Sequence, residues 1–232
     1  MVKFLLENGA DPNKKDNAKT VPIIEAAKNG NYEIAELLVN KGANIDYFVT
    51  NMKTALNMAL MQRHEDVARL FVEHGADVNL AISNGETPLM TAIARKYYDI
   101  AEEMLKRGAN IEAKDKDGDN ALAFCTLNND EEGLTFLIKH GANVNAKVSN
   151  GDTPLLIAYK KGFGRIAGLL LMNDTDIDIE NDQGHSIILY QLYMKKKLPA
   201  TWKKFSKELD SLRSQDSDDD DDDDEEDDSD DE

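Results

Sequence analysis

Carboxylates crowd one short stretch of the chain, Asp115-Lys116-Asp117-Gly118-Asp119, in the manner of a calcium-binding loop. Setting Gly118 at the glycine such a loop requires puts Ala113 at the first ligand position and Phe124 at the last, where a bidentate carboxylate is needed. The stretch is therefore expected to be a turn, and no metal site is expected. His64, His74, His140 and His185 each fall beside a turn or a Gly-Ala pair and read as structural residues. Cys125, the single cysteine, sits in a column of alanines and reads as a buried small residue, not a nucleophile. The chain has no phosphate-cradling glycine loop, no Gly-x-Ser-x-Gly elbow and no His-Glu-x-x-His helix, so neither a catalytic residue nor a cofactor is expected. Asn173-Asp174-Thr175 is a formal glycosylation triplet with no secretion signal ahead of it.

Charge narrows the function classes further. The 232 residues hold 27 Lys+Arg against 45 Asp+Glu, a net of −18. Ser214 to Glu232 contains 15 of the acidic residues and no basic one, so the remainder is near neutral at −3. No strong positive field is available for unassisted nucleic-acid binding. No apolar run approaches the roughly 18 residues of a membrane span, and membrane association is not expected. One cysteine and no signal peptide fit the cytoplasm or the nucleus.

Self-similarity organises everything before that tail. Gly9-Ala10-Asp11, Gly42-Ala43-Asn44, Gly75-Ala76-Asp77, Gly108-Ala109-Asn110 and Gly141-Ala142-Asn143 recur every 33 residues without insertion. Val21-Pro22-Ile23, Thr54-Ala55-Leu56, Thr87-Pro88-Leu89, Asn120-Ala121-Leu122, Thr153-Pro154-Leu155 and Ser186-Ile187-Ile188 keep the same register, as do Ala26, Ala59, Ala92, Cys125 and Ala158. Thr-Pro opens a helix, because the hydroxyl caps free amides and proline at the first turn wastes none. After a break near Gly30 or Gly162, a second apolar stripe follows at helical spacing, as in Val67, Ala68, Leu70, Phe71 and Val72. It stops at the glycine of Gly-Ala-Asp/Asn, which can turn left-handed. About ten residues with Asn84-Gly85, Asp117-Gly118, Asn150-Gly151 or Gln183-Gly184 then lead to the next unit.

This unit of helix, turn, helix and projecting turn, with Gly-x-Thr-Pro-Leu and Gly-Ala-Asp at fixed offsets, closely resembles the ankyrin repeat over Met1 to Leu212. The resemblance implies an all-α solenoid of stacked antiparallel helix pairs with projecting β-turn loops, and composition adds an expected disordered acidic C-terminal tail, since Asp216 to Glu232 has no apolar residue. The expected organisation is a partial repeat and first loop at 1–19, five repeats at 20–184, an atypical capping repeat with a basic amphipathic helix at 185–213, and the tail at 214–232. The capping helix rests on Leu198, Trp202, Phe205, Leu209 and Leu212, spaced 4, 3, 4 and 3. Departures from the family pattern are expected to matter. The histidine usual after Thr-Pro-Leu is replaced by Ile24, Asn57, Met90, Ala123, Leu156 and Leu189. Lys19 and Met52 replace the turn glycine, which predicts looser or differently shaped projecting loops there, and Glu103 falls in an apolar column. The chain opens midway through a second helix, as a fragment or a shortened reading frame would.

Function in ankyrin-like proteins resides on the concave face built by the loops and the first helices. The resemblance therefore implies a non-enzymatic scaffold that binds a protein or peptide partner. Val49, Ile82 and Val148 fill the loop position held elsewhere by Asp16 and Asp115, and Tyr47, Phe48 and Leu80 adjoin them. They are expected either to form an exposed apolar patch or to be packed between loops. By family register Lys53, Met61, Gln62, Glu86, Arg95, Asp119, Asn128, Asp152, Lys160 and Lys161 lie beside them, a mixture of charges that points away from a polyanionic ligand. Two rival functions stay open: a nuclear protein whose tail binds histones or other basic proteins, and a targeting segment of a longer enzyme. Ser217 and Ser229 have an acidic residue three positions on and are candidate phosphorylation sites.

Overall fold

The structure, a computed structural model, describes residues 1–49, 53–188, 190, 191, 195, 200, 203, 204, 206 and 207. Met52, Leu189, the proposed stripe of the capping helix, the acidic tail, Ser217 and Ser229 lie outside them. The described residues are all-α: α1 (Val2–Glu7), α2 (Pro22–Asn29), α3 (Tyr32–Asn40), α4 (Ala55–Gln62), α5 (Glu65–Glu73), α6 (Pro88–Ala94), α7 (Tyr98–Lys106), α8 (Ala121–Leu127), α9 (Glu131–Lys139), α10 (Pro154–Lys161) and α11 (Gly164–Leu171). They contain no sheet, and the isolated bridge Val49–Lys53 stands outside any strand.

Two compact units form. The first is Met1–Phe124 with Lys139–Ala142, and the second comprises the described residues of Cys125–Ile138 and Asn143–Glu232. In the first, α2 packs on α3, α4 on α5 and α6 on α7, while α2, α4 and α6 stack in one row and α3, α5 and α7 in another. Neither row can bury its apolar face alone, which is why Leu38, Leu56, Leu60, Phe71, Leu89 and Met104 are all but inaccessible. Removing one such leucine side chain would cost about 2–5 kcal/mol. In the second unit α10 packs on α11 around Leu155, Ile166 and Leu170.

Thr-Pro caps as its chemistry predicts. Thr87 Oγ1 accepts from the Met90 amide and Thr153 Oγ1 from the Leu156 amide, each at 3.3 Å. Asn57, standing in for the missing histidine, accepts from the Thr54 amide at 3.2 Å and donates through Nδ2 to the Leu80 carbonyl at 3.3 Å. One side chain thus caps its own helix and ties it to the following turn. His64 likewise reaches back a repeat, its Nε2 lying 3.1 Å from the Lys28 carbonyl at the end of α2. Glu103 points outward and receives Arg107 Nε at 2.6 Å, an i,i+4 pair that leaves α7 intact.

Candidate functional site

The projecting turns share one backbone design. The amide of the residue opening each turn donates to the carbonyl four residues on: Asp16 to Thr20, Val49 to Lys53, Ile82 to Glu86, Asp115 to Asp119, Val148 to Asp152 and Asn181 to His185, at 2.9–3.1 Å. Where that residue is acidic or an amide, its side chain also holds the turn. Asp16 Oδ1 accepts from the Ala18 and Thr20 amides, Asp115 Oδ1 from Asp117 and Asp119, and Asn181 Oδ1 from Gln183 and His185. Asp115 is thus a turn former. Among the described residues no group of three or more His, Cys, Asp or Glu is arranged to hold a metal ion.

Lys19 does not loosen its turn, contrary to expectation. It takes φ +61°, the left-handed conformation a glycine would take, and keeps its bond to the Asp16 carbonyl at 3.0 Å. The two amides gathered by Asp16 hold the turn closed against that strain. Gly85 illustrates the opposite case: at φ +86°, its missing Cβ leaves room for the Asp115 backbone, which a Cβ would meet at 2.8 Å. Through that opening the Lys116 amide donates to the Asn84 carbonyl at 2.9 Å, joining one turn to the next.

A second set of links escaped the sequence reading. Asp11, Asn44, Asp77, Asn110, Asn143 and Asp176 each accept the amide two residues on. At Asn13, Asp46, Asn79 and Asn145 the residue two on then reaches across to the next repeat. Asn79 donates to the Gly108 carbonyl at 3.0 Å and accepts from the Asn110 amide at 2.8 Å; Asn13 and Asn145 make the same pair of bonds, and Asp46 accepts from Asp77. The signal was present as Asn or Asp at 33-residue spacing.

The candidate binding residues divide between the units. Tyr47, Phe48, Val49, Lys53, Leu80, Ile82, Glu86, Arg95 and Asp119 belong to the first. Phe48 is the large apolar residue most open among them, 58 % exposed, and it stacks on Tyr47 with ring centroids 6.4 Å apart. Tyr47 is held from two sides: its hydroxyl donates to the Lys19 carbonyl at 2.9 Å, and Lys15 Nζ lies 4.9 Å from its ring centroid. Val49, Lys53, Leu80, Ile82 and Asp119 are half-buried. Glu86 accepts from the Thr91 hydroxyl at 3.0 Å, and Arg95 reaches the Met61 carbonyl at 3.5 Å, at the negative end of α4.

In the second unit Val148 follows the packed alternative of the two expected for the loop-tip residues: it is only 6 % exposed and belongs to the core. Asp152 and Lys160 are committed to each other. Lys160 Nζ donates to both carboxylate oxygens at 2.7 Å, and Asn181 Nδ2 donates to the first at 2.7 Å, so turn, helix and following turn meet at one buried carboxylate. Lys161 is exposed. Cys125 is buried, and its thiol is pushed up to about 12 by burial and then by the Asp130 charge, which leaves it protonated and inert at neutral pH. Among the described residues no helix is long and apolar enough to cross a membrane.

Comparison with known proteins agrees with this geometry. The family described as ankyrin repeats (three copies) matches residues 1–82, 48–115 and 108–182. An ankyrin repeat protein of Fowlpox virus (strain NVSL) is 38 % identical over 66 residues, 28 % of this chain and 15 % of the viral protein, so the match spans well under a fifth of that relative's length. Ankyrin repeats are generally protein–protein interaction modules and typically non-catalytic. The paired helices, the left-handed glycines, the closed projecting turns and the matched residues lead to one conclusion: the chain belongs to the ankyrin-repeat family.

Proposed function

We propose that the chain is a non-enzymatic recognition scaffold in which the projecting turns of the first unit, with the neighbouring ends of α4 and α6, receive a protein or peptide partner. The observation that carries this reading is Phe48, an exposed aromatic ring on a turn whose supporting Tyr47 is pinned by a hydrogen bond to a second turn. An exposed ring does nothing for stability, whereas a preorganised one is an economical binding anchor, since little ordering entropy is lost on contact. Tyr47, Val49, Lys53, Leu80, Ile82, Glu86, Arg95 and Asp119 complete the proposed surface; Val148, Asp152 and Lys160 are left to structural roles.

The experiment compares affinity capture by the intact chain, by a variant with Tyr47, Phe48 and Ile82 changed to serine, and by a chain lacking residues 214–232. The reading predicts that the serine variant loses its partners while the shortened chain keeps them, at both low and high salt. A second reading, in which the tail gathers basic proteins, rests on the 15 acidic residues from Ser214 to Glu232. It predicts the reverse, with capture that falls steeply as salt is raised.

A further inference from the structure

The turns of the first unit differ in charge along the repeat direction. Residues 11–20 carry Lys14, Lys15 and Lys19 against Asp11 and Asp16, and residues 44–53 carry Lys53 against Asp46. The next two are acidic: residues 77–86 hold Asp77 and Glu86 with no lysine, and residues 110–119 hold Glu112, Asp115, Asp117 and Asp119 against Lys114 and Lys116. The formal charges are +1, 0, −2 and −2, so the cationic end is the end that bears Tyr47 and Phe48.

Asp11, Asp16 and Asp46 each spend an oxygen on backbone amides. Lys14, Lys15 and Lys19 are exposed, and among the described residues neither they nor Lys53 make an ion pair. Lys15 lies over the Tyr47 ring, and Lys53 is bridged through its backbone to Val49, next to Phe48. The Lys15 ammonium over Tyr47 and the exposed Phe48 ring stacked on Tyr47 are therefore presented together, from two turns that hydrogen-bond to each other, with Lys14, Lys19 and Lys53 on the same two turns.

We propose that this end of the first unit recognises an acidic peptide with an apolar residue, the apolar side chain seated on Phe48 and flanking carboxylates paired with Lys14, Lys15, Lys19 and Lys53. The inference rests on the recognition surface proposed above and specifies its ligand chemistry. A polyanion alone would leave Phe48 wet, and a neutral apolar peptide would leave the lysines unpaired. The acidic turns further along the unit oppose a uniformly acidic partner and fix the direction in which the peptide lies.

The test is selection from a random dodecapeptide display library on the full chain, on Phe48→Ser, and on the double variant Lys15→Glu with Lys53→Glu, each checked by circular dichroism for an unchanged fold. The expected result is enrichment of peptides with an aromatic or large aliphatic residue beside two or more Asp or Glu. Phe48→Ser should lose that enrichment, and the double variant should turn it toward basic peptides. A synthetic peptide of the enriched class should bind the double variant roughly tenfold more weakly at low salt and show a smaller difference at 0.5 M salt. Enrichment that depends on Phe48 but has no acidic bias overturns the inference and leaves the recognition surface standing. Enrichment independent of Phe48, or none above background, overturns both.

Discussion

The Tyr47 hydroxyl donates to the Lys19 carbonyl at 2.9 Å, across 28 residues of sequence and between two projecting turns. Lys19 is in the left-handed conformation there, with its carbonyl held where the neighbouring turn can reach it. The bond makes one platform from two turns, and Phe48 stands on that platform.

Phe48→Ser is expected to leave stability within about 0.5 kcal/mol, because an exposed ring has little burial to lose, and to weaken partner binding by about 2 kcal/mol, roughly thirtyfold. Val148→Ser is expected to do the reverse in kind, lowering stability by about 1–3 kcal/mol by placing a hydroxyl in the core. Urea midpoints measured beside a binding titration separate the two.

Asn79→Ala should cost about 1–2 kcal/mol, since it removes two bonds between repeats and leaves the Asn110 amide and Gly108 carbonyl without their side-chain partner. Asn79→Asp keeps the acceptor, as Asp46 does naturally, and should cost less. Hydrogen exchange at Asn110 would report the loss directly.

Gly85→Ala and Gly108→Ala share nearly the same φ, +86° and +85°, but differ in surroundings: a Cβ at Gly85 meets the Asp115 backbone at 2.8 Å, and one at Gly108 meets nothing within 4 Å. Gly108→Ala should cost about 1 kcal/mol from backbone strain alone. Gly85→Ala should cost distinctly more, because the neighbouring turn must also move. Thermal unfolding of the pair isolates the contact between turns.

The Cys125 thiol has its pKa raised from 9.0 to about 12, first by burial and then by Asp130. The folded protein holds that proton above pH 9 while the unfolded chain releases it. The thiol's contribution to stability is therefore present below pH 9 and is lost as the pH climbs toward 12. A thiol reagent at pH 8 should leave the native protein unlabelled and label it on denaturation. Cys125→Ala, the residue its column otherwise holds, should abolish labelling while preserving the fold.

Much of the fold was legible because its grammar is periodic: Thr87-Pro88-Leu89 caps and opens a helix, and Gly108 ends one, wherever the register repeats. Side-chain destinations were less so. Whether Val148 faces solvent or core depends on how its turn lies against its neighbours, and Val49, Ile82 and Val148 occupy one register yet differ in burial. The bond from Lys160 to Asp152 joins a helix to the turn before it, eight residues back, a spacing that no helical or strand period singles out. Lys19 shows a further limit: a residue type unfavourable for a turn is accommodated when a neighbour such as Asp16 supplies two bonds.

The central claim, recognition through the turns of the first unit, is tested most directly by titrating a captured partner against the intact chain and against Phe48→Ser, with urea unfolding of both proteins measured in parallel. The account predicts superimposable unfolding curves and binding weakened about thirtyfold. Equal affinity for the two proteins, or a loss of binding matched by a loss of stability, would contradict it.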